Sequence, residues 1–253
     1  MTLLQILKAR RRQGYRTVPF PPADTRLSDR FRGRPRLVPE RCARGCDACR
    51  GVCPTDALRL DGPLAIDLGR CLFCTDCVQA CPQAAIAFTQ DYRLAARTRA
   101  ELMDDGGAPI RVRALDGKMR RLFGRSLKLR QVSAGGCNAC ESDTNVLGTP
   151  VFDLARFGIQ FVASPRHADG LLVTGPVTRN MELAVEKTYA AVPSPRLVIA
   201  VGACAISGGP YAGHEETAGG VDALLPVDLY VPGCPPHPLT ILDGLLRLLG
   251  RLA

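Results

Sequence analysis

The feature that most limits how this chain can fold is a cysteine-rich stretch that occurs twice. Residues 46–60, "CDACRGVCPTDALRL", align with residues 74–88, "CTDCVQACPQAAIAF", at a constant offset of 28. The cysteines, the proline after the last of them and the apolar residues that follow all coincide. Self-similarity of this kind indicates an internal duplication, in which each copy forms one small structural unit.

The spacing inside each copy is that of the bacterial dicluster ferredoxins. Each copy ends in Cys-Pro and resembles the run C-x2-C-x2-C-x3-C-P, in which the fourth cysteine binds the cluster of the other copy. The resemblance therefore implies two [4Fe–4S] clusters with crossed ligand sets. The first set is Cys42, Cys46, Cys49 and Cys81, and the second is Cys71, Cys74, Cys77 and Cys53.

Cys42 departs from this pattern. Three residues, "ARG", separate it from Cys46, whereas two residues, "LF", separate Cys71 from Cys74, so the first loop must bulge. Two zinc sites are the alternative interpretation, since C-x2-C pairs also bind zinc. Two complete runs that both end in Cys-Pro are more specific for clusters than a single C-x2-C pair would be.

The twelve cysteines also bear on the compartment. No stretch approaches the roughly 20 apolar residues that cross a bilayer. The opening "MTLLQILKARRRQGYRT" has its basic cluster after its apolar residues, the reverse of an export signal. We therefore expect a cytoplasmic protein, and in the reducing cytosol its cysteines serve metal or cluster binding rather than disulfides.

Positive charge is concentrated near the beginning of the chain. Residues 1–50 contain 13 Lys and Arg but 4 Asp and Glu, an excess that equals the net charge of +9 of the whole chain. A basic arm over residues 1–35 can be a solvated extension, or a docking arm that meets nucleic acid, anionic lipid or an acidic protein. Aromatic residues make up 5% of the chain, which argues against nucleic acid. The segment "LLQILKARRR" has the composition of a short amphipathic helix near a membrane.

A change of pattern at residues 91–126 predicts a linker between two domains. Apolar residues become fewer, charged residues increase and "DDGG" interrupts the segment, with a short helix expected at about 93–103. The residues before it, 36–90, form the expected ferredoxin domain. The residues after it, 127–253, form the second domain.

The second domain alternates between strand and helix patterns. Strands are expected at 127–133, 159–164, 170–175, 196–202 and 227–233, and helices at 151–158, 179–192 and 237–253. This alternation predicts a mostly parallel sheet covered by helices on both faces. The expected fold is thus a flavodoxin-like α/β domain preceded by a small α+β dicluster ferredoxin domain of bacterial type.

The last four cysteines all follow predicted strands. Cys137 and Cys140 come after the first strand, Cys204 after "RLVIAVG" and Cys234 after "VDLYVPG". The carboxyl ends of parallel strands share one edge, so these cysteines can converge there. Neighbouring glycines let the backbone approach a bulky group, and the candidates for such contact are Gly136, Gly202 and Gly233.

Three other interpretations of these cysteines remain open. Free cysteine also packs as a small buried hydrophobic residue. A loop after the first strand of such a sheet can bind a flavin phosphate, although "AGGCNACES" has thiols and an acid where Ser, Thr and Gly are preferred. Zinc is the third. The joint placement of four cysteines favours a third [4Fe–4S] cluster.

The second domain resembles a known family. "GGCNACE", "FGIQFVASPRHADGLLVTGPVTRNM", "VIAVGACAISGG" and "PVDLYVPGCPPHP" are similar to the small, cluster-carrying subunit of membrane-bound group 4 [NiFe] hydrogenases, including formate hydrogenlyase, and of respiratory complex I. The resemblance covers residues 127–250. "FRGRPRLVPERC" and the double cysteine run resemble the ferredoxin-like subunit of the same complexes, so the chain looks like a fusion of two subunits.

The resemblance implies an electron-transfer subunit without catalytic residues of its own. Three [4Fe–4S] clusters would pass electrons to or from a partner large subunit, with the third cluster nearest to that partner. Complex I subunits have adjacent cysteines where this chain has C-x2-C, which favours the hydrogenase type. The alternatives are a nickel-free hydrogenase-related or complex I-like quinone or ferredoxin oxidoreductase, and more remotely a zinc-stapled binding module.

Further expectations follow from this resemblance. Glu141, next to Cys140, is a candidate for tuning the third cluster or passing protons. Arg166 and His167 are candidates for coupling protonation to cluster reduction, or for contact with the large subunit. The expected partners are a large subunit, membrane-arm subunits and other electron-transfer subunits, without nucleic acid. We expect the chain to lie peripherally on the inner face of the cell membrane, attached indirectly through the complex.

Overall fold

The computed structural model describes residues 2–22, 26–43, 45–110 and 112–252. The first element is helix α1, Leu3–Gln13, in which no residue is buried. It ends at Gly14, after which the chain contacts the second domain through a hydrogen bond from Val18 to Val151. Within the described residues, no helix is long and apolar enough to cross a membrane.

Residues 35–104 contain two small antiparallel sheets. Strand β1 pairs with β4, and β3 pairs with both β2 and β5. The elements of this part are β1 (Pro35–Leu37), α2 (Ala48–Gly51), β2 (Leu58–Arg59), β3 (Ala65–Asp67), α3 (Asp76–Ala80), β4 (Ile86–Phe88) and β5 (Met103–Asp104).

The sequence repeat is also a structural repeat. Helix α3 and strand β4 follow α2 and β2 at the sequence offset of 28. Asp56 and Ala84 occupy equivalent positions and both have a positive φ, 48° and 47°. Because few residues other than glycine adopt this conformation, the shared value shows that the two copies turn their chains in the same way.

The segment after β4 differs from the sequence-based expectation. No helix forms at about 93–103 among the described residues. The chain is extended there, Ala96 pairs with Tyr230, and a single 3-10 turn covers Ala100–Leu102. Helix α4, Gly117–Phe123, comes later and is capped by the Asp116 side chain, which accepts a hydrogen bond from the backbone N–H of Met119 at 2.9 Å.

Five parallel strands form the sheet of the second domain. They are β6 (Leu127–Ser133), β7 (Ile159–Phe161), β8 (Gly170–Thr174), β9 (Leu197–Val201) and β10 (Leu229–Val231). Their spatial order is β10-β9-β8-β6-β7. Counted from β6 as the first, this is the order 2-1-3-4-5 of flavodoxin-like folds. The predicted flavodoxin-like α/β domain is confirmed.

Side chains from both faces of this sheet are buried. On β9, Val198 and Ala200 join one apolar cluster, whereas Leu197, Ile199 and Val201 join the other. The helices of this domain are α5 (Ala139–Val146), α6 (Arg179–Ala191), α7 (Ala203–Ser207) and α8 (Pro238–Leu248). Helix α8 packs in the second cluster, and every residue of it except Arg247 is buried. Double coverage explains why the strands are apolar throughout.

The two parts of the chain share one apolar core. Leu58 and Ile66 from the small sheets belong to the same buried cluster as Val198 and Ile206 from the second domain. At this junction the Ser207 hydroxyl donates a hydrogen bond to the carbonyl oxygen of Gly69 at 2.9 Å. The small sheets are therefore packed directly on one face of the parallel sheet.

The N-terminal arm provides a second connection between the parts. The backbone N–H of Val18 donates to the carbonyl of Val151 at 2.8 Å. The Phe20 ring lies 6.2 Å from the rings of both Tyr92 and Phe157, measured between centroids. Tyr92 lies between β4 and β5 of the small sheets and Phe157 precedes β7, so the arm contacts both parts.

A buried ion pair fixes the extended segment against β3. The two terminal nitrogens of Arg99 donate to the two carboxylate oxygens of Asp67 at 2.7 and 2.6 Å, and Asp67 is 4% exposed. We expect Arg99→Ala to lower the free energy of unfolding by about 3 kcal/mol, because it removes both hydrogen bonds from a buried carboxylate and leaves only the partly exposed Arg70, 3.8 Å away, as its cation. Denaturant unfolding measures this change.

Arg113→Ala is the matched control for that substitution. Arg113 forms an exposed pair with Glu101 at 3.4 Å, and exposed pairs contribute about 1 kcal/mol or less. If the two variants lost equal stability, the buried pair would not hold this segment.

Candidate functional site

Four of the predicted ligands line one cavity between the two copies of the repeat. The cysteines of this cavity are Cys42, Cys46, Cys49 and Cys81. Cys49 lies in α2, and Cys81 directly follows α3. Burial, followed by the neighbouring thiols of Cys42 and Cys81, raises the pKa of Cys49. Cys42 reaches this cavity despite the longer loop that follows it.

The other four cysteines of the repeat line a second cavity. Its cysteines are Cys53, Cys71, Cys74 and Cys77. Burial raises the pKa of Cys71 to about 12 and that of Cys77 to about 11, and nearby thiols add to both shifts. The structure thus brings together the two crossed sets that the sequence resemblance implied.

Backbone N–H groups point at sulfur in both cavities. The N–H of Ala57 donates to Cys53 Sγ and the N–H of Ala85 donates to Cys81 Sγ, each at 3.3 Å. These bonds are equivalent under the repeat. The N–H of Phe73 donates to Cys71 Sγ at the same distance. Such bonds stabilise negative charge on sulfur and influence the potential of a bound cluster.

The last four cysteines meet at the carboxyl edge of the parallel sheet. Cys137 and Cys140 follow β6, Cys204 lies in α7 directly after β9, and Cys234 follows β10. Burial raises the pKa of Cys140, and the thiols of the other three raise it further. Burial likewise raises the pKa of Cys204 to about 11, with contributions from Cys234 and Cys137. Mutual repulsion of this kind requires that all four are close together.

Electrostatic interactions between thiols also connect the first cysteine set with the second and the second with the third. Besides burial, Cys49 of the first set contributes to the raised pKa of Cys77 in the second. Cys74 of the second set contributes in the same way to the raised pKa of Cys234 in the third. The second set therefore lies between the first and the third.

Glycine is required next to the third set. Gly202 has a φ of +92°, and a Cβ atom at this position would lie 2.5 Å from Cys140 Sγ. Gly136 packs against Gly175, where a Cβ would lie 3.1 Å from the Gly175 Cα. Gly233 packs against the backbone of Pro236. All three predicted glycines lie in the loops that carry the cysteines.

Glu141 is buried beside Cys140, with 6% of its surface exposed. Its Oε1 accepts hydrogen bonds from the hydroxyls of Ser133 at 2.5 Å and Thr174 at 2.7 Å. Burial raises the pKa of this carboxyl, but these hydrogen bonds outweigh it, and the net pKa lies below the ordinary value. Glu141 therefore carries a negative charge, which further raises the pKa of Cys140.

We expect Thr174→Val to lower the free energy of unfolding by about 1.5 to 3 kcal/mol, because it removes a hydrogen bond to a buried charge while keeping the side-chain shape. Anaerobic denaturant unfolding measures the change. Thr188→Val is the control, since the Thr188 hydroxyl bonds to the Ala184 carbonyl on the surface of α6. It should change stability by less than about 0.5 kcal/mol. A similar loss in both variants would contradict the role of Thr174.

Arg166 and His167 lie on the surface of the second domain. They end a 3-10 turn, Pro165–His167, before β8, and both side chains are exposed. Their predicted roles, in proton coupling or in contact with a large subunit, stay predictions.

Sequence reasoning missed the residues that support the site. Ser133 and Thr174 end strands β6 and β8, and they hold Glu141. Polar residues at adjacent strand ends were the available signal. Phe31 was also missed. Its ring lies 5.3 Å from that of His237, and both residues line a cavity that includes Cys234.

The donor chemistry of the three sets fits iron–sulfur clusters. All twelve cysteines are free, and thiolate is the ligand that these clusters require. Within the described residues, no group of three or more His, Cys, Asp or Glu side chains is arranged to hold a single metal ion.

Known oxidoreductase subunits are similar to this chain in sequence. It is 44% identical over 133 residues to a probable membrane-bound hydrogenase subunit of Pyrococcus furiosus, covering 53% of this chain and 80% of that protein. It is 39% identical over 155 residues to formate hydrogenlyase subunit 7 of Escherichia coli, covering 59% of this chain and 61% of that protein. An NADH-quinone oxidoreductase subunit of Heliobacterium modesticaldum is 42% identical over 120 residues, with 47% and 69% coverage.

Among solved structures, a chain of the archaeal membrane-bound sulfane sulfur reductase matches with 33% identity and a TM-score of 0.47. The match covers 54% of this chain and 75% of that one. The family model described as "NADH ubiquinone oxidoreductase, 20 Kd subunit" matches residues 137–248, which include the third cysteine set and the parallel sheet from β7 onward. The chain belongs to this family of oxidoreductase subunits.

Proposed function

We propose that this chain is the electron-transfer subunit of a multi-subunit oxidoreductase of the hydrogenase type. Three [4Fe–4S] clusters would connect an electron donor or acceptor with a partner large subunit that contains the catalytic centre. The observation that supports this proposal is the grouping of twelve cysteines into three sets of four, with the second set between the other two.

Residues 36–90 would act as a dicluster ferredoxin domain and residues 127–253 as the domain of the third cluster. When bound, the clusters supply one-electron oxidation and reduction, at potentials that range from about −700 to +450 mV among such proteins. The cysteines would hold them as thiolates, which the raised thiol pKa values disfavour in the absence of a compensating positive charge.

The other residues of the site would tune the potentials of the bound clusters. The N–H groups of Ala57 and Ala85 place positive dipoles at sulfur, and Glu141 places a negative charge beside the third set. None of these groups needs to break a substrate bond. The role of the chain is therefore conduction, and catalysis would belong to the partner.

The third set lies where a partner can reach it. Cys137 and Cys234 of the third set are exposed, as is Cys74 of the second set, whereas Cys49, Cys71 and Cys77 are buried. Two exposed cysteines at the sheet edge suit an interface with the large subunit. Relatives in membrane-bound hydrogenase and formate hydrogenlyase support partners of this kind. The chain would lie peripherally on the inner face of the membrane within such a complex.

A complex I-like oxidoreductase is the second candidate, because the relatives also include subunits of NADH-quinone oxidoreductases. The C-x2-C spacing of Cys137 and Cys140 favours the hydrogenase type, since the complex I proteins resemble this chain but have adjacent cysteines there. Nickel analysis of the complex that purifies with a tagged chain, together with hydrogen evolution from a reduced donor, distinguishes the two.

Anaerobic purification of the full chain tests the proposal itself. We expect a brown protein with about twelve iron and twelve sulfide per chain, because three clusters contain four of each. Stepwise reduction followed by EPR should show three distinct signals. A colourless protein that contains zinc and lacks iron would overturn the proposal.

A further inference from the structure

Helix α1 leaves its apolar side chains without a partner among the described residues of this chain. Leu3 is 73% exposed, Leu4 70%, Ile6 47% and Leu7 56%, and no residue of the helix is buried. Single exposed apolar residues are ordinary on protein surfaces, but a contiguous group of large ones marks an interaction site. At about 100° per residue, these four side chains cover an arc of about 160° of the helix.

Basic residues follow directly on the same helix. Lys8, Arg10, Arg11 and Arg12 occupy its second half, Arg16 comes shortly after, and the first acidic residue in the sequence is Asp24. Arginines in the last turn stabilise a helix through its dipole, which accounts for their position without any ligand. That explanation does not account for four exposed leucine and isoleucine side chains one or two turns earlier.

The helix is attached to the body of the protein beyond its end. After Gly14, the Thr17 hydroxyl donates to the Pro150 carbonyl at 2.9 Å, and the Arg156 side chain donates to the Val18 carbonyl at 2.6 Å. These contacts fix the direction in which the chain leaves the second domain. They leave all faces of α1 available to a partner.

We propose that α1 binds the surface of a membrane that contains anionic phospholipid. Its apolar residues would enter the boundary between headgroups and acyl chains, and its arginines would contact lipid phosphates. A lipid surface fits better than an acidic protein because the helix combines two signals, apolar side chains and a polybasic segment, which together give stable membrane attachment. An acidic protein surface would pair with the charges, but it would also need an apolar groove of matching shape for the leucines.

The helix lies on the membrane rather than across it. Eleven residues extend about 16 Å at about 1.5 Å per residue, roughly half the thickness of the hydrocarbon core. The contact is direct, whereas the family resemblance implies attachment through other subunits alone. It is independent of the clusters, so it holds or fails separately from the proposed function.

Vesicle binding by the full, anaerobically purified chain tests this proposal. The probes are vesicles of phosphatidylcholine alone and vesicles of phosphatidylcholine mixed with phosphatidylglycerol, separated from free protein by sedimentation. We expect binding to the anionic vesicles, weakening with added salt because the Debye length shortens. Two variants should each lose about tenfold or more in vesicle affinity, Leu3→Ser/Leu4→Ser/Leu7→Ser and Arg10→Gln/Arg11→Gln/Arg12→Gln.

Matched controls carry the same chemical changes elsewhere. Lys118→Gln/Arg121→Gln/Lys128→Gln removes three exposed charges outside α1, and Leu122→Ser/Leu183→Ser removes two exposed leucines. Both should bind vesicles as the unmodified chain does. Unchanged folding of the α1 variants, checked by circular dichroism and iron content, is expected since no α1 residue is buried.

Three results would overturn the proposal. Binding that persists in both α1 variants would place the lipid contact elsewhere. An equal loss of vesicle affinity in the charge control would show that binding depends on the net charge of the protein and not on α1. Absence of vesicle binding, combined with α1 variants that no longer purify with their partner subunits, would assign the helix to a protein surface instead.

Discussion

Cys204→Ser is expected to remove one cluster and leave two, so that iron falls from about twelve to about eight per chain. Cys204 lies in α7, next to β9, and burial raises the pKa of its thiol to about 11. A serine hydroxyl at this place is a still weaker acid and a harder ligand than thiolate, so it cannot replace the lost bond to iron. One of three EPR signals should disappear while the other two keep their shapes.

Ser207→Ala is the control for this variant. Ser207 belongs to the same short helix, and its hydroxyl donates to the carbonyls of Gly69 at 2.9 Å and Ala203 at 3.1 Å. The substitution perturbs the helix without touching a thiol, so full iron content is expected. If Cys204→Ser kept all three signals, the convergence of the last four cysteines on one cluster would be wrong.

Gly202→Ala is expected to have an effect of similar size without changing any cysteine. Gly202 has φ +92° and ψ 155°, a region that is almost restricted to glycine and costs other residues about 1 to 3 kcal/mol. The added Cβ would also lie 2.5 Å from Cys140 Sγ, so the thiol must move. Loss of about four iron per chain is expected, measured together with the free energy of unfolding.

Two controls separate the backbone strain from the displaced thiol. Gly213→Ala introduces a side chain at φ +79°, but no atom lies within 4 Å of the added Cβ. It should lower stability and keep the iron. Gly62→Ala has neither a positive φ nor a neighbour within 4 Å, and should change neither. If Gly213→Ala also lost iron, backbone strain alone would explain the effect of Gly202→Ala, without a displaced thiol.

The strands of the parallel sheet could be predicted because each shows an apolar pattern in the local sequence. Strand β6 begins and ends where the pattern placed it, at Leu127–Ser133, and β8 and β9 differ from the expected ranges by single residues at their ends. Strands covered on both faces are continuous apolar runs that stand out from any neighbour. The order of the strands was not predicted: successive strands are neighbours in the sheet except β7 and β8, which β6 separates.

Elements that depend on distant contacts were harder to predict. The stretch at about 93–103 has many good helix formers, yet Leu94, Ala95 and Ala96 are buried in succession, and Ala96 pairs with Tyr230 more than a hundred residues later. Burial on all sides excludes an amphipathic helix. The segment 151–158, expected to be helical, forms a 3-10 turn at Leu154–Phe157 between two residues with positive φ, Asp153 and Gly158.

The cysteines of the site were visible in the sequence, whereas their surroundings were not. The resemblance to dicluster ferredoxins predicted the crossed sets, and the strand ends predicted the third set. The hydroxyls of Ser133 and Thr174 belong to different strands and act on the same carboxylate oxygen of Glu141. Only the pairing of β6 with β8 brings them together. Local patterns therefore indicate which residues are candidate ligands, whereas tertiary contacts determine which polar groups surround them.

The arm that contacts both parts of the chain has a mechanical consequence. Two bodies joined by a single linker can rotate about it as a hinge. Here the shared apolar core and the pairing of Ala96 with Tyr230 oppose such a rotation. Phe20, packed between Tyr92 and Phe157, adds a further contact that a hinge motion would have to break. We therefore expect the two parts to move as one body.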